Sequence, residues 1–448
     1  MARGTARASA GDTMTNSGFA GAATASRPAR ALSGIAGTVL RAIAALATIA
    51  LVGCGGDDAA PSPSGPATNA RFPFPQRRFS SHCSYPVNAT PERARAAFDK
   101  WKADLVTTEG AGGFARVRRP DTPDGLPNST VSEGIAYGMV IAVYMDDQAL
   151  FDALFGYSRL WATSTGLMKW YIDPTGTQAC PGDTGGCGAA TDADEDLAWA
   201  LVMADRQWGG KGTLDEDYLV HAKRVIDAIW KFEVEQYAPY VLKPGDRWGG
   251  SSITNPSYFA PAYYRVFAQV SGNPDWLKVI DSSYDIIEKS LNDANGNTQN
   301  GLVPAWCDSS GTPEPPDPGD ATHYQYDAAR VPFRIGQDYC WFGEPRAKAY
   351  LDKVSSFFVT QGADGIFDGY ALDGTPRPEA AQEPSRSAVF VGSAGVGAMS
   401  SPEHGAFVAG TADKVASLEL LVRSTYYNES WTALSLLMMS GNLDDLTR

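Results

Sequence analysis

The stretch ATDADEDLAWAL at residues 190–201 decides how the rest of the chain is read. Four acids, Asp192, Asp194, Glu195 and Asp196, run straight into Leu197, Ala198, Trp199, Ala200 and Leu201. Acids ahead of an apolar run mark a helix start, where free backbone N–H groups and the helix dipole attract negative charge. Leu197, Leu201 and Ala204 recur at helical spacing and give that helix a core face. Asp192 and Glu195 stand three apart, as the ends of a capping box do, which makes Asp192 a cap and leaves Glu195 or Asp196 facing solvent. Asp194 is then the inward-facing acid of first choice, with Asp192 close behind it. A calcium site is a poorer reading, because the spacing is not that of a twelve-residue calcium loop.

The same helical pattern recurs along the chain, broken by loops rich in Gly, Pro, Asn and Asp. Helices are predicted over 91–104, 132–147, 149–163, 193–206, 214–233, 260–270, 274–291, 325–340, 345–360, 386–399, 412–421 and 429–440. Val225, Ile226 and Ile229 mark the buried face of one of them. Long strand patterns are scarce, and no Gly-rich strand–loop–helix cradle for a nucleotide occurs. The expectation is an all-α domain in which helical hairpins stack into a closed ring with helix starts at its ends; an open helical array is the alternative.

The N-terminal residues read differently. They are rich in Ala, Gly, Ser and Thr, and the apolar run IAALATIALVG at 43–53 ends at Cys54. About eleven residues are too few to span a bilayer, and the basic flank fits an export signal. Leu51-Val52-Gly53-Cys54 resembles a bacterial lipobox, which makes Cys54 a candidate lipidation site and the protein an outer-membrane or cell-surface lipoprotein; an ordinary signal peptide and a secreted product are the alternative. Residues 55–80 read as a flexible tether. Residues 81–448 are long enough for one large core, and no second linker is visible.

The formal charge is −14, and residues 1–53 hold five Arg and one Asp, so the remainder carries about −18. Nucleic acid is an unsuitable partner for such a surface. Four histidines and no zinc-like Cys/His spacing argue against a histidine metal centre. Beyond Cys54 five cysteines remain, at 83, 180, 187, 307 and 340. Cys180 and Cys187 bracket a turn-rich loop and are the candidate disulfide; an odd total leaves one thiol unpaired.

Two further stretches gather candidate chemistry. In VSEGIAYGM at 131–139, Ser132 is read as a cap and Glu133 as a first-turn acid, with Gly134, Tyr137 and Gly138 leaving the helix start bare for close approach. The dipole alone lowers the pKa of Glu133, so a role as proton donor requires burial or a neighbouring carboxylate. In HYQYDAARVPFRIGQDYCWFG at 323–343, Asp327 pairs with Arg330 and Arg334 with Asp338 at helical spacing, and Pro332 is expected to kink the helix. The apolar residues between them, Tyr326 among their neighbours, imply that these charges are partly buried and paired.

Together SEGIAYGM, GLMKWYID, ATDADEDLAWAL, NPSYFAPAYYRVF, YDAARVPFRIGQD and YYNESWTALSLLMMSGN, in that order over about residues 83–445, resemble glycoside hydrolase family 8. The resemblance implies an (α/α)6 barrel of six inner and six outer helices with an open substrate cleft, no cofactor and no metal. It implies inverting, endo-acting hydrolysis of β-1,4-glycosidic bonds by a monomer. Glu133 matches the proton donor, Asp327 the base, and Asp194, or next Asp192, the acid that holds the central sugar. Arg330, Tyr258, Trp170, Tyr137 and Tyr326 match substrate-binding positions, and Trp161, Trp208, Trp248 and Trp306 are weaker sugar-platform candidates. β-Glucan is the favoured substrate and xylan or short xylo-oligosaccharides the alternative, with His323 on the long loop 307–325 placed to enforce an end-acting mode. Chitosan is a poorer fit, and a catalytically inactive glycan-binding protein is the reading from another class.

Overall fold

A computed structural model describes residues 69–122, 126–181, 187–316, 322–377, 387–417 and 425–448. The expected signal peptide, Cys54 and most of the expected tether lie outside these residues. Twelve α-helices are present among the described residues: α1 Pro91–Leu105, α2 Ser132–Tyr144, α3 Gln148–Leu160, α4 Thr191–Gln207, α5 Tyr218–Glu233, α6 Pro261–Ser271, α7 Trp276–Ser290, α8 Val331–Phe342, α9 Pro345–Gln361, α10 Ala388–Ala398, α11 Gly405–Ala416 and α12 Thr425–Met439. None of the described helices is long and apolar enough to cross a membrane.

The helices alternate between two kinds. Residues of α2, α4, α10 and α12 are buried almost all round, the mark of a helix enclosed on every side. Helices α1, α3, α5, α7 and α9 bury one stripe; in α1 it is Ala94, Ala97, Phe98, Trp101 and Leu105. Among the inner helices α2 neighbours α4, and α6, α8, α10 and α12 follow one another, with α12 returning to α2. The α4–α6 seam is filled by Trp199, stacked at 4.3 Å on Tyr263. The result is the (α/α)6 barrel.

Close packing of the inner ring rests on small residues. A Cβ on Gly392 of α10 would lie 2.2 Å from Ser435 Oγ of α12, and one on Gly395 2.2 Å from Thr411 Oγ1 of α11. No side chain fits at either position without displacing a neighbouring helix.

Several boundaries differ from those expected. Residues 328–330 form a 3-10 turn and α8 begins only at Val331. Pro332 therefore sits in the first turn, where its missing N–H would have no partner anyway, and it starts the helix instead of kinking it. The helix expected at 412–421 begins at Gly405, after a turn led by Pro402. Ser132 is the first helical residue and not the cap; Val131 precedes it without a capping side chain.

Residues 69–80, expected to be tether, lie against the barrel. The Arg71 amide donates to the Gln207 carbonyl at 2.8 Å and the Arg78 amide to the Gly441 carbonyl at 2.7 Å, and Gln76 Nε2 donates to the Tyr144 carbonyl at 2.7 Å. Cys83 is bonded to Cys340, which ties this segment to α8, and Cys180 is bonded to Cys187 as expected. Among the described residues Cys307 is the unpaired thiol, and it is buried.

Two short antiparallel pairs complete the described elements: β1 Val106–Thr107 with β2 Arg116–Val117, and β3 Thr130–Val131 with β4 Tyr171–Ile172. The second pair matters for the site, because β3 runs directly into α2.

Candidate active site

Glu133 occupies the second position of α2, and its place is fixed from two sides. The β3–β4 pair is extended by the Ser132 amide donating to the Trp170 carbonyl at 2.9 Å. From α12, the Tyr426 hydroxyl donates to Glu133 Oε1 at 2.6 Å. Gly134 permits this approach, since a Cβ there would lie 2.9 Å from the Tyr426 ring. The bare helix start is thus filled by the chain's own tyrosine.

Arg330, at the end of the 3-10 turn ahead of α8, lies at the centre of the site and is 1% exposed. Its Nη1 donates to Glu133 Oε2 at 2.8 Å, to Asp192 Oδ2 at 2.7 Å and to the Tyr137 hydroxyl at 3.2 Å. Its Nη2 donates to Asp327 Oδ1 at 3.0 Å and to Ser257 Oγ at 2.8 Å. The guanidinium also lies 5.2 Å from the centre of the Tyr258 ring. A buried guanidinium needs such partners, and here they come from α2, α4, the Pro256–Tyr258 turn and the turn before α8.

Asp327 is the more open carboxylate, with its side chain 29% exposed. Its Oδ2 accepts from Gln325 Nε2 at 2.9 Å and from Trp306 Nε1 at 3.3 Å. Burial pushes the Glu133 carboxyl up to about 7; Arg330 and the Tyr426 hydrogen bond oppose that shift, and the charges of Asp192 and Asp327 add to it. The site therefore pairs a carboxyl that holds its proton near neutrality with a second, more open carboxylate on the other nitrogen of the same guanidinium.

The acidic block separates into four different surroundings, all buried. Asp192 joins Arg330. Asp194, expected to be the supporting acid, instead accepts from the Met168 amide at 3.2 Å. Glu195 accepts from the Tyr264 hydroxyl at 2.8 Å, and Asp196 makes a two-pronged pair with Arg334 at 2.6 Å on each prong. Neither Glu195 nor Asp196 faces solvent, because the inner helix that carries them has no solvent side. Arg334 is consequently not paired with Asp338; Asp338 accepts from Arg265 at 2.8 and 3.1 Å and from the Tyr284 hydroxyl at 2.6 Å.

The expected aromatic residues divide as well. Trp170 is half-buried, stacked at 5.1 Å on Tyr171, and its carbonyl holds the start of α2. Tyr326 donates to Asp368 Oδ2 at 2.8 Å and packs edge-on to Phe390 and Tyr427. Trp208 is core, donating to Asp146 Oδ1 at 2.8 Å. Trp248 is 43% exposed and stacks at 5.7 Å on Trp306, which meets Tyr258 edge-on. These rings form a row that leads outward from Asp327. Sequence reading assigned no part to Tyr426, Ser257 or Gln325. Tyr426 and Ser257 lay within quoted blocks, YYNESW and NPSYF, but a lone hydroxyl carries no periodic signal.

Among the described residues, Asp215, Glu216 and His221 form one group whose ligand-type atoms lie within 4.8 Å of one another. Its members are already engaged: His221 Nε2 lies 3.0 Å from Asp215 Oδ1, and Arg224 donates to Glu216 at 2.8 Å. None of them touches Arg330.

A family model described as glycosyl hydrolases family 8 matches residues 75–441. Endoglucanase A of Acetivibrio thermocellus is 39% identical over 382 residues, covering 85% of this chain and 75% of that protein. The apo structure of a β-1,3-1,4-glucanase from Paenibacillus sp. X4 superimposes with a TM-score of 0.73 at 29% identity, over 83% of this chain and 98% of that one. A reducing-end xylose-releasing exo-oligoxylanase, Rex8A of Paenibacillus barcinonensis, is 28% identical over 267 residues, 56% of this chain and 67% of that protein.

Proposed function

The chain belongs to glycosyl hydrolases family 8, and from that premise we propose that it hydrolyses internal β-1,4 bonds of a β-glucan with inversion at the anomeric carbon. The observation that carries this reading is the Arg330 clamp, which holds Glu133 and Asp327 on opposite terminal nitrogens. Two carboxylates spaced by a guanidinium, not touching, suit a mechanism in which water enters between base and sugar; inverting pairs are about 6.5–9.5 Å apart.

Glu133 is the general acid. Its carboxyl, pushed up to about 7, donates a proton to the glycosidic oxygen as the bond to the anomeric carbon breaks. Asp327 is the base, taking a proton from a water that attacks the opposite face of the ring. Its partial exposure admits that water, and Arg330, Gln325 and Trp306 hold the carboxylate oriented. Asp192, on the same guanidinium, is the acid placed to hold the central sugar, and Tyr258 stands beside it. The row Trp248–Trp306 offers flat apolar faces for further sugar units.

The relatives named as glucanases support glucan over xylan, and the oligoxylanase relative supports xylo-oligosaccharides as the second reading. The sequence of residues 1–54 supports export with lipidation at Cys54. Incubation of purified protein with barley β-glucan, carboxymethyl cellulose, xylan, xylo-oligosaccharides and chitosan tests the proposal. The expected result is a ladder of oligosaccharides from the glucans, with the inverted anomer appearing first by NMR. Release of xylose alone establishes the second reading, and binding without any new reducing ends removes the hydrolase reading altogether.

A further inference from the structure

Asp194 and Glu233 are two carboxyl groups sealed behind the Arg330 site, 1% and 0% exposed. Asp194 Oδ2 and both carboxyl oxygens of Glu233 are buried with no hydrogen-bond partner among the described residues, and the packing of α4 along α5 brings the two carboxyls close enough for each to act on the other's titration. Among the described residues the groups that act on them most strongly are acidic or neutral, namely Asp192 and Glu195 of α4, Asp246 of the following loop, and Thr191, and Arg247, 60% exposed, reaches Asp246 only at 3.9 Å. Lys243 is directed to the carbonyls of Phe232 and Asp246 at 2.7 and 3.4 Å. Two buried carboxylates without a cation cannot both ionise, but a proton held between them makes each the partner of the other.

The position of this pair gives it work to do. Asp194 Oδ1 accepts the Met168 amide. Two residues on, the Trp170 amide donates to the Gly188 carbonyl at 3.0 Å and the Trp170 carbonyl receives the Ser132 amide at 2.9 Å, immediately before Glu133. On its own helix, Asp194 stands two residues from Asp192.

We propose that Asp194 and Glu233 are positioning residues: a carboxyl pair that retains a proton in the folded protein and fixes the 168–170 segment, and through it the entry of α2 that carries Glu133. The link to turnover rests on the hydrolase reading above; the proton held by the pair does not. Burial, reinforced by the mutual repulsion of the acids, raises both carboxyls well above their ordinary range. The folded protein then holds more protons than the unfolded chain above pH ~4. Its stability consequently falls as pH rises toward the folded values.

Asp194→Asn and Glu233→Gln replace each carboxyl by an amide of the same shape, able to keep the mutual hydrogen bond and, at 194, the bond from Met168. Melting temperature measured from pH 5 to 9 needs no substrate and stands whether or not the protein is a hydrolase. The wild-type decline over that range is expected to become shallower in either variant, by about 2 °C or more. A decline as steep as wild type in both variants overturns the proton-sharing pair. On glucan at pH 6, Asp194→Asn is expected to keep turnover within about threefold, whereas Asp192→Asn loses about 100-fold or more. A loss in folded Asp194→Asn as large as that in Asp192→Asn means that Asp194 acts as a charged group on the sugar, and overturns the positioning role.

Discussion

The Tyr426 hydroxyl donates to Oε1 of Glu133 at 2.6 Å, from a helix that lies almost three hundred residues further along the chain. That bond favours the ionised acid and so opposes the effect of burial. Removing it with Tyr426→Phe leaves burial and Arg330 in place and moves the Glu133 carboxyl further up. The alkaline limb of kcat/KM, which reports the free enzyme's acid, is expected to shift to higher pH with only a few-fold change at the optimum. A profile unmoved or shifted to lower pH overturns this account of how Glu133 is tuned.

Glu133 itself gives the clearest paired outcome. With its carboxyl near 7, activity is expected to fall as pH rises through that value, because the donor has lost its proton. Glu133→Gln should lower kcat by about 10²–10⁴-fold. Stability should move the other way. A carboxyl raised in the folded state costs stability progressively as pH rises from its unfolded value toward 7. The amide does not, so Glu133→Gln should melt above wild type at pH 8 and close to it at pH 4. Scanning calorimetry at the two pH values checks this.

Trp248 is exposed while its stacking partner Trp306 is held by Asp327. Truncating the outer ring therefore removes binding surface without disturbing the base. Trp248→Ala is expected to raise KM on long glucans about tenfold, some 1.4 kcal/mol, with kcat little changed. Trp306→Ala, which also strips a hydrogen bond from Asp327, should lower kcat as well. Steady-state kinetics on soluble glucan separates the two.

The barrel was legible because its helices announce themselves: apolar stripes at 3.6 spacing, Pro91, Pro261 and Pro345 at helix starts, Gly272 and Gly343 at helix ends. Helix starts without such marks were misread, as at Ser132 and before Val331, where a 3-10 turn replaces the first helical turn. Glu133, Asp327 and Arg330 stand out as charges among apolar neighbours, their expected parts come from the resemblance to the family, and the structure brings the three together. The choice between Asp192 and Asp194 was not legible. Both lie in the first turns of one helix, and only the position of Arg330, 138 residues from Asp192, separates them. Likewise Arg334 and Asp338 have the spacing of a helical pair, yet each finds a better partner on another helix. Local spacing predicts pairing on an exposed helix; on one enclosed on all sides, the neighbours decide.

Arg330 is where these partners meet, and its replacement should have the largest effect on the fold as well as on the chemistry. Glu133, Asp192 and Asp327 each keep a carboxylate oxygen within 3.0 Å of the guanidinium. Arg330→Met leaves three acids facing one another with no cation between them. Breaking a buried ion pair from one side costs about 3–5 kcal/mol, so a marked drop in melting temperature is expected at neutral pH. Without Arg330 the charge that opposes burial at Glu133 is gone, and its carboxyl moves further up. Stability lost on this account is regained as pH falls below that raised value. The melting difference between wild type and Arg330→Met should therefore narrow between pH 8 and pH 4. Arg330→Lys restores charge but offers one ammonium where two nitrogens held acids on different sides. It is expected to recover most of the stability and little of the turnover; recovery of both would show that charge alone, and not the placing of Glu133 and Asp327 on separate nitrogens, is what the site requires.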